Sequence, residues 1–331
     1  MPLNATKQTV TVLISGSTFA VFSGDTLAVI IRNDDKMKDK IILITGATGG
    51  IGKQTAISLA EKGATVIVTG RNKENGEKAI AEIKVKSKNP NIDLIIGDLS
   101  SISDIRQIAK QFKTKFQKLD VLINNAGNSL NDYKKTIDGL EHDFAVNVIA
   151  PFLLTNSLID VLEKSNDPRV ITLNGGVVPS KLKRDVLNSQ DNFQGLITYC
   201  QSKLSMTILM FELAEQLKPR RISVNVCYPG HASTEGTKQI NSKMLPLHLR
   251  FVYPIMWIYK FLTMPQTDKA HQKVARSSIF AASADELQNK SQLYIETNCK
   301  ITKFPQPVYD LDNRKFIWNF VNNILKPYSN E

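Results

Sequence analysis

Short apolar runs alternate with longer amphipathic stretches along most of the chain, beginning near Lys40. The short runs are rich in β-branched residues, which favour strands, and predict six of them: 41–45, 65–69, 93–96, 121–124, 169–173 and 223–228. Longer stretches between them repeat apolar residues three and four positions apart and predict helices at 53–62, 73–86, 102–116, 140–162 and 199–217. This alternation is typical of βαβ units, which build a parallel sheet.

Six strands with crossover helices predict one continuous sheet and therefore an α/β fold. We expect a single doubly wound (Rossmann) domain over residues 39–305, with a mostly parallel sheet flanked by helices on both faces. Residues 1–38 are interpreted as an N-terminal extension and residues 306–331 as a C-terminal tail.

The N-terminal extension contains an apolar stretch at 10–31 that is interrupted by Asp25. Runs at 19–22 and 27–31 flank a Ser-Gly-Asp-Thr turn and favour a hairpin of two short strands. A membrane-spanning helix is the alternative, but it needs about 20 predominantly apolar residues, and small polar residues dilute this stretch. A secretory signal is disfavoured because the stretch lacks a basic start and a compact apolar run.

The composition narrows the classes of partner. With 42 basic and 31 acidic residues, the formal charge of +11 could attract nucleic acid, anionic lipid or a phosphorylated cofactor. Lysines are scattered along the predicted helices as solvated faces, so nucleic-acid binding is not predicted. The three cysteines show no paired spacing, which predicts neither a disulfide framework nor a metal site and favours a reducing, cytoplasmic compartment.

A glycine-rich turn follows the first predicted strand and precedes the first helix. It reads TGATGGIG at 45–52. Glycines allow a tight turn and close backbone approach to a pyrophosphate, while free N–H groups and the helix dipole stabilise the anion. The predicted cofactor-binding residues here are Gly46, Thr48, Gly50, Ile51 and Gly52.

Arg71 follows the second strand, where enzymes that prefer NAD usually carry an acid for the ribose 2′-hydroxyl. Its guanidinium instead suits a 2′-phosphate. The sequence therefore favours NADP (NADPH) over NAD, with a surface arginine at a helix start as the alternative.

Tyr199 and Lys203 lie four positions apart in a predicted helix, so both side chains emerge on one face. A free phenol titrates near a pKa of about 10, and a neighbouring cation favours the phenolate. Tyr199 could then pass a proton to or from the oxygen of a carbonyl or alcohol. A solvated helix face is the alternative for such a pair alone.

The order of these motifs resembles the short-chain dehydrogenase/reductase family over roughly residues 39–300. The resemblance rests on the glycine turn, the run Asn-Asn-Ala-Gly at 124–127, Asn147, the Tyr199/Lys203 pair and Pro229-Gly230. The stretches from 138–141 to 152–155 and at 199–204 look most like the retinol dehydrogenase and related DHRS-type branch.

The resemblance implies further roles for individual residues. Glycines 46, 50 and 52 would hold the pyrophosphate, and Lys203 would also bond the nicotinamide ribose. Asn147 would hold a water of the proton relay. The remaining implied cofactor contacts are Asp98 and Leu99 near the adenine, Asn125, Ala126 and Gly127 near the adenine-side ribose, and Pro229, Gly230 and Thr234 toward the nicotinamide. The alternatives are that Asn125 and Asn147 satisfy buried backbone groups and that Asp98 caps a helix.

The chain departs from the family pattern after the fifth strand, where the family places a catalytic serine. Gly175 falls on that position without a gap, and Asn174 does so with one residue deleted. Asn174 could donate through its amide, and losing one such donor typically costs about 10²- to 10³-fold in rate. An active enzyme is therefore favoured, with an impaired, NADP(H)-binding pseudoenzyme or scaffold as the alternative.

The segment 244–264 is dense in Leu, Phe, Tyr, Ile and Met. In the family this region covers the substrate, and an apolar cover predicts a lipophilic carbonyl or alcohol that is retinoid-, steroid- or lipid-like. Two alternatives stay open: a homodimer contact, and a membrane-surface helix that would make the protein membrane-associated.

Overall fold

The computed structural model describes residues 10–15, 18–23, 26–31, 36–175, 178–230, 241–242, 251–254 and 268–328. Its central element is an eight-stranded sheet. The strands are β4 (Ile41–Ile44), β5 (Thr65–Gly70), β6 (Ile92–Ile96), β7 (Val121–Asn124), β8 (Arg169–Leu173), β9 (Ser223–Cys227), β10 (Tyr294–Ile295) and β11 (Ile301–Thr302). Their order is β11-β10-β9-β8-β7-β4-β5-β6, and every pair is parallel except β10 with β11. The predicted fold class is confirmed.

Helices flank this sheet on both faces. They are α1 (Gly50–Glu61), α2 (Lys73–Ser87), α3 (Ile102–Lys115), α4 (His142–Phe144), α5 (Ala150–Ser157), α6 (Ile159–Leu162), α7 (Gly195–Leu217), α8 (Asp268–Ser283) and α9 (Leu311–Leu325). The side chains of Asn72 and Ser101 accept N–H bonds at the starts of α2 and α3, which explains why these two helices begin where they do.

Two apolar cores lie on opposite faces of the sheet because successive strand residues point to opposite sides. In β4, Leu43 joins the core beneath α3, α5 and α7, whereas Ile42 and Ile44 join the core beneath α1 and α8. All three are fully buried. Burial on both faces explains why these strands read as continuous apolar runs.

The predicted helix at 140–162 is broken rather than continuous. A π-helical turn, Ala145–Ile149, separates α4 from α5, and a further break at Leu158 precedes α6. Such π turns insert one extra residue into an α-helix and are frequent at functional sites. This one contains Asn147.

The segment after residue 305, interpreted from sequence as a tail, contains α9, and this helix packs against the domain. Its Ile317 and Val321 are fully buried in the core beneath α5 and α7. The ring centre of Trp318 lies 5.4 Å from that of Phe152. The segment therefore contributes to the apolar core instead of extending from it.

The N-terminal region forms a separate three-stranded antiparallel sheet of β1 (Val10–Ser15), β2 (Thr18–Ser23) and β3 (Thr26–Ile31). The strands β2 and β3 span the two runs from which the hairpin was predicted. Residues 10–15, 18–23 and 26–31 are thus extended, which contradicts the alternative of a spanning helix there. Across the described residues, no helix is both long and apolar enough to cross a membrane.

Candidate functional site

The predicted site residues converge at the carboxyl ends of the parallel strands. At the end of β4 the chain turns through Gly46 and Gly50, which have φ of +63° and +54°. These left-handed values favour glycine. The helix α1 then begins without a side-chain cap and without an acid in its first turn. Its N–H groups and positive dipole end therefore suit an anion.

The glycine turn packs directly on the loop after β7. A Cβ atom at Gly52 would lie 2.4 Å from Nδ2 of Asn125, and one at Gly46 would lie 3.0 Å from the Cα of Ala126. Larger residues at either position would push the two loops apart. Thr48 lies on the other side of the turn, where a Cβ on Gly70 would meet its methyl group at 2.5 Å.

Asn125 holds the end of β4 in place. Its Nδ2 donates to the carbonyl oxygen of Thr45 at 2.8 Å, and its backbone N–H donates to Oγ1 of Thr45 at 3.0 Å. The backbone N–H of Ala126 donates to the same Oγ1. This geometry matches the alternative considered from sequence, in which Asn125 satisfies backbone groups.

Arg71 and Asp98 end neighbouring strands and interact electrostatically. Asp98 accepts the N–H of Ser100 at 2.9 Å. Burial alone would raise the pKa of Asp98, but the bonds from Ser100 and the charges of Arg71 and His142 hold that pKa below its ordinary value. Leu99 packs against the core at the same edge. A cation and an acid thus lie together beside the glycine turn.

Asn147 is buried in the π turn and uses both ends of its amide. Its Oδ1 accepts the N–H of Asn128 at 2.9 Å, and its Nδ2 donates to the carbonyl of Asn128 at 2.9 Å. The same Nδ2 donates to Oγ of Ser202 at 2.9 Å, and that hydroxyl donates to the carbonyl of Tyr199. The amide therefore links the π turn to α7.

Lys203 lies one turn after Tyr199 in α7 and is nearly fully buried. Its Nζ donates to the carbonyl of Leu173 at 3.1 Å. Gly127 passes close by, since a Cβ there would lie 3.0 Å from Nζ. Burial lowers the pKa of Lys203 to about 8, against the opposing charge of Asp143. The amine is thus a cation at neutral pH that gives up its proton easily.

Tyr199 differs from the sequence expectation in its protonation. Burial raises its pKa well above the ordinary value, and the charges of Cys200, Asp143 and Tyr228 raise it further. The lowering of the Tyr199 pKa by Lys203 that was expected from the sequence is not among the effects that act on it in the described residues. Tyr199 is consequently a neutral phenol at neutral pH, which is the form that donates a proton.

Gly175 lies directly against the phenol. A Cβ atom on Gly175 would lie 2.7 Å from Oη of Tyr199. Asn174 is turned away: its Nδ2 donates to Oη of Tyr294 at 3.3 Å, and its Oδ1 accepts the N–H of Gly175 at 2.8 Å. One N–H of the Asn174 amide is thus engaged by Tyr294, while the amide has a second N–H, so the donor role of Asn174 stays a prediction.

Pro229 and Gly230 follow β9 at the same edge. Gly230 has a φ of +81°, and a Cβ there would lie 2.8 Å from Oγ1 of Thr297. Thr234 lies outside the described residues, as does most of the predicted substrate cover at 244–264.

The sequence interpretation missed a buried polar group at the start of α4. Glu141, His142 and Asp143 are all buried, and Asn128 reaches both His142 and Asp143. Three consecutive titratable residues within the predicted helix at 140–162 were a signal of a polar site. Nothing in their spacing showed that all three side chains are buried.

Comparison with known proteins gives consistent matches. A family model described as short chain dehydrogenase matches residues 40–245. Retinol dehydrogenase 13 of Mus musculus is 33% identical over 259 residues, which are 78% of this chain and 75% of that protein. Polyprenol dehydrogenase of Homo sapiens is 32% identical over 288 residues, covering 85% of this chain and 83% of that protein. Among solved structures, the Pseudomonas aeruginosa RhlG/NADP active-site complex shares the fold, with a TM-score of 0.61 and 22% identity over 80% of this chain and 97% of that chain.

Proposed function

Because the chain belongs to the short-chain dehydrogenase/reductase family, in its retinol dehydrogenase branch, we propose that it is an NADP(H)-dependent oxidoreductase that acts on a lipophilic carbonyl or alcohol. One observation carries the proposal. A protonated Tyr199 lies against Gly175, with the buried cation of Lys203 one helical turn away, at the sheet edge that carries the glycine turn.

The residues at this edge fit a dinucleotide. The glycine turn and the uncapped start of α1 would hold the pyrophosphate, and Arg71 would bind a 2′-phosphate. The other proposed contacts are Asp98 and Leu99 at the adenine, Asn125, Ala126 and Gly127 at the ribose, and Pro229, Gly230 and Thr234 at the nicotinamide. A bound nicotinamide supplies or accepts the hydride. The NADP held by the Pseudomonas aeruginosa protein of the same fold supports this choice of cofactor.

The chain's own residues would manage the proton. Tyr199 would donate its phenolic proton to the oxygen of a carbonyl substrate and regain one in the reverse direction. Lys203, as a neighbouring cation, would stabilise the phenolate that is left. Asn147 would position a water that resupplies the proton through the second lone pair of its Oδ1, since its Nδ2 already donates to Asn128 and Ser202.

The names of two relatives, retinol dehydrogenase and polyprenol dehydrogenase, support a lipophilic substrate of retinoid-, steroid- or lipid-like chemistry. A homodimer contact and a membrane-surface contact through 244–264 stay predictions.

A panel of aldehydes and ketones tests the activity, with NADPH consumption measured for wild type and Tyr199→Phe. We expect the variant to lose about 10²- to 10⁴-fold in kcat/KM, because phenylalanine has no hydroxyl to donate the proton. Its affinity for NADPH should persist. Tyr309→Phe, at an exposed tyrosine beyond the site, is the matched control: it loses the bond that its hydroxyl accepts from the N–H of Phe304 but should keep wild-type kcat/KM.

A second candidate function, an NADP(H)-binding pseudoenzyme or scaffold, is favoured by one observation. Neither Gly175 nor Asn174 carries a hydroxyl, and the amide of Asn174 is engaged by Tyr294. Wild-type protein that binds NADPH but reduces nothing in the panel would support this candidate and contradict the enzyme.

Arg71→Ala tests the cofactor preference. Loss of the charged bonds to a 2′-phosphate should weaken NADPH binding by about 10- to 100-fold and leave NADH binding unchanged. Fluorescence titration with both cofactors measures this. Lys73→Ala, an exposed cation two positions further on, is the control. Equal losses for NADPH and NADH in Arg71→Ala would contradict the assignment.

A further inference from the structure

The two carboxylates at the start of α4 are both fully buried, but they have different surroundings. Glu141 caps the helix: its two oxygens accept the N–H groups of Asp143 and Phe144 at 2.8 and 2.7 Å. Its side chain is thus explained by local structure. The carboxylate of Asp143 instead accepts bonds from the loop that follows β7, at Asn128 and Leu130.

Asn128 links the carboxylate of Asp143 to Asn147 of the site. Nδ2 of Asn128 donates to Oδ1 of Asp143 at 3.1 Å. The backbone of the same Asn128 holds both ends of the Asn147 amide, each at 2.9 Å. Fixing Asn128 therefore fixes Asn147, because the peptide that binds the amide cannot move without breaking the bond to Asp143.

Asp143 also acts on the catalytic pair by its charge. Burial lowers the pKa of Lys203, and the charge of Asp143 raises it. The charge of Lys203 in turn lowers the pKa of Asp143. Burial raises the pKa of Asp143 to about 6, so this group is mostly ionised at neutral pH. The charges of Asp143, Cys200 and Tyr228 raise the pKa of Tyr199. The geometry agrees: a Cβ on Gly127 would lie 3.0 Å from Nζ of Lys203 and 3.4 Å from Oδ1 of Asn147, so the buried amine lies beside the amide that Asp143 holds through Asn128.

We infer that Asp143 is a positioning residue of this site: through Asn128 its buried carboxylate fixes the amide of Asn147, which lies beside the amine of Lys203, and its negative charge acts on that amine. The inference rests on the proposed function only for the roles of Lys203 and Asn147. The linkage between Asp143 and Lys203 is a property of the chain itself.

Asp143→Asn tests the charge. The amide has nearly the same shape but carries no charge: its Oδ1 can still accept the N–H of Leu130, whereas its Nδ2 can bond Asn128 only after the Asn128 amide turns its own oxygen toward it. In full-length protein labelled with ¹³C at lysine Cε, we expect NMR to show the Lys203 titration midpoint about 1 pH unit lower than in wild type. If the enzyme is active, the same shift should appear in the pH profile of kcat/KM.

Glu141→Gln is the matched control. It also replaces a fully buried carboxylate, two positions before Asp143, with a neutral amide. The Glu141 carboxylate, however, accepts bonds from the helix backbone and not from the loop after β7. We expect the Lys203 midpoint to stay as in wild type. A merely structural role for Asp143 predicts the same unchanged midpoint in Asp143→Asn.

Asn128→Ala tests the second link. It keeps the charge of Asp143 and the bond from Leu130 but removes the side chain that links Asn128 to Asp143 and to His142. We expect turnover to fall by about 10-fold while the Lys203 midpoint stays unchanged. This variant keeps the inference falsifiable even if Asp143→Asn does not fold, because wild-type turnover in Asn128→Ala would overturn the link to Asn147.

The outcomes separate the inference from the proposed function. A Lys203 midpoint that is unchanged in folded Asp143→Asn overturns the inference, whether or not the protein is an enzyme. A shifted midpoint in a protein that reduces no substrate supports the charge balance and overturns the enzymatic proposal instead.

Discussion

At Gly175 the absence of a side chain decides where the phenol of Tyr199 lies. The backbone there is not in a left-handed conformation that requires glycine, so space is the relevant constraint. With Oη of Tyr199 only 2.7 Å from the position of a Cβ, every other residue would force the phenol or the loop to move. The phenol occupies room that a side chain at position 175 would otherwise fill.

Gly175→Ala should therefore reduce turnover by about 10²-fold, because a displacement of about 1 Å in a reacting group costs that much. The methyl group should also destabilise the protein. That destabilisation should be smaller in a Tyr199→Phe background, which lacks Oη. Thermal unfolding of the two single variants and the double variant measures the difference. Equal losses in both backgrounds would show that the conflict is not with the hydroxyl.

Sequence patterns identified the residues whose role follows from their spacing in a helix. They missed the residues whose role depends on where the side chain points in the folded protein. Tyr199 and Lys203 could be paired because a helix places positions four apart on one face. For Asn174, the sequence predicted a donor role but did not show that one N–H of its amide bonds Tyr294, 120 positions later. Asp143 escaped notice because its partners lie on a loop whose path no local pattern determines.

At the scale of elements, α9 shows how much stability the last segment contributes. Ile317 is fully buried in the core, so Ile317→Ala should lower the free energy of unfolding by about 2 to 5 kcal/mol. Leu311→Ala, at a 62% exposed position of the same helix, should change it by less than about 0.5 kcal/mol. Urea unfolding of both variants measures the contrast. Similar small losses would mean that α9 does not stay docked in solution.

The start of α4 should make stability depend on pH. Burial, together with the charge of Asp143, raises the pKa of Glu141 to about 7 from an ordinary value of 4.5. The folded state then holds a proton that the unfolded state has lost, so this contribution is complete below about pH 4.5 and disappears as pH rises through 7.

Wild type should accordingly lose stability between pH 5 and pH 8, and Glu141→Gln should lose about 2.5 kcal/mol less over the same interval. Urea unfolding at four pH values checks this. Some decline should persist in the variant, because the pKa of Asp143 is raised to about 6 as well. Parallel curves for the two proteins would show that Glu141 does not titrate as described.

Long, regular elements were predictable, and short or irregular ones were not. The helices α2 and α3 matched their predicted ranges to within one residue because apolar periodicity and capping side chains agreed. The two-residue strands β10 and β11 have no periodicity to recognise. The π turn was not predicted, although Pro151, which has no N–H to donate within a helix, follows it closely and was a signal for a break in the helix.

For the whole molecule, the layered architecture could be predicted from the sequence, because strands buried on both sheet faces are continuous apolar runs. It did not indicate how the sheet continues past β9, where β10 pairs in parallel and β11 reverses direction. Nor did it show that α9 closes one face. Such features depend on strand pairing and helix packing between residues far apart in the chain, and these contacts cannot be inferred from a single sequence.

The π turn around Asn147 has a consequence at the opposite end of the chain. Eight positions along a regular helix rotate through about 800°, which would leave Phe144 and Phe152 about 80° apart. The extra residue of the wide turn absorbs one position, so eight positions complete about two turns. Both rings therefore face the same way and meet α9, at Phe320 and Trp318 with ring centres 5.6 and 5.4 Å apart. The single inserted residue thus places the Asn147 amide in the interior and brings Phe144 and Phe152 onto one face, where both rings pack against α9.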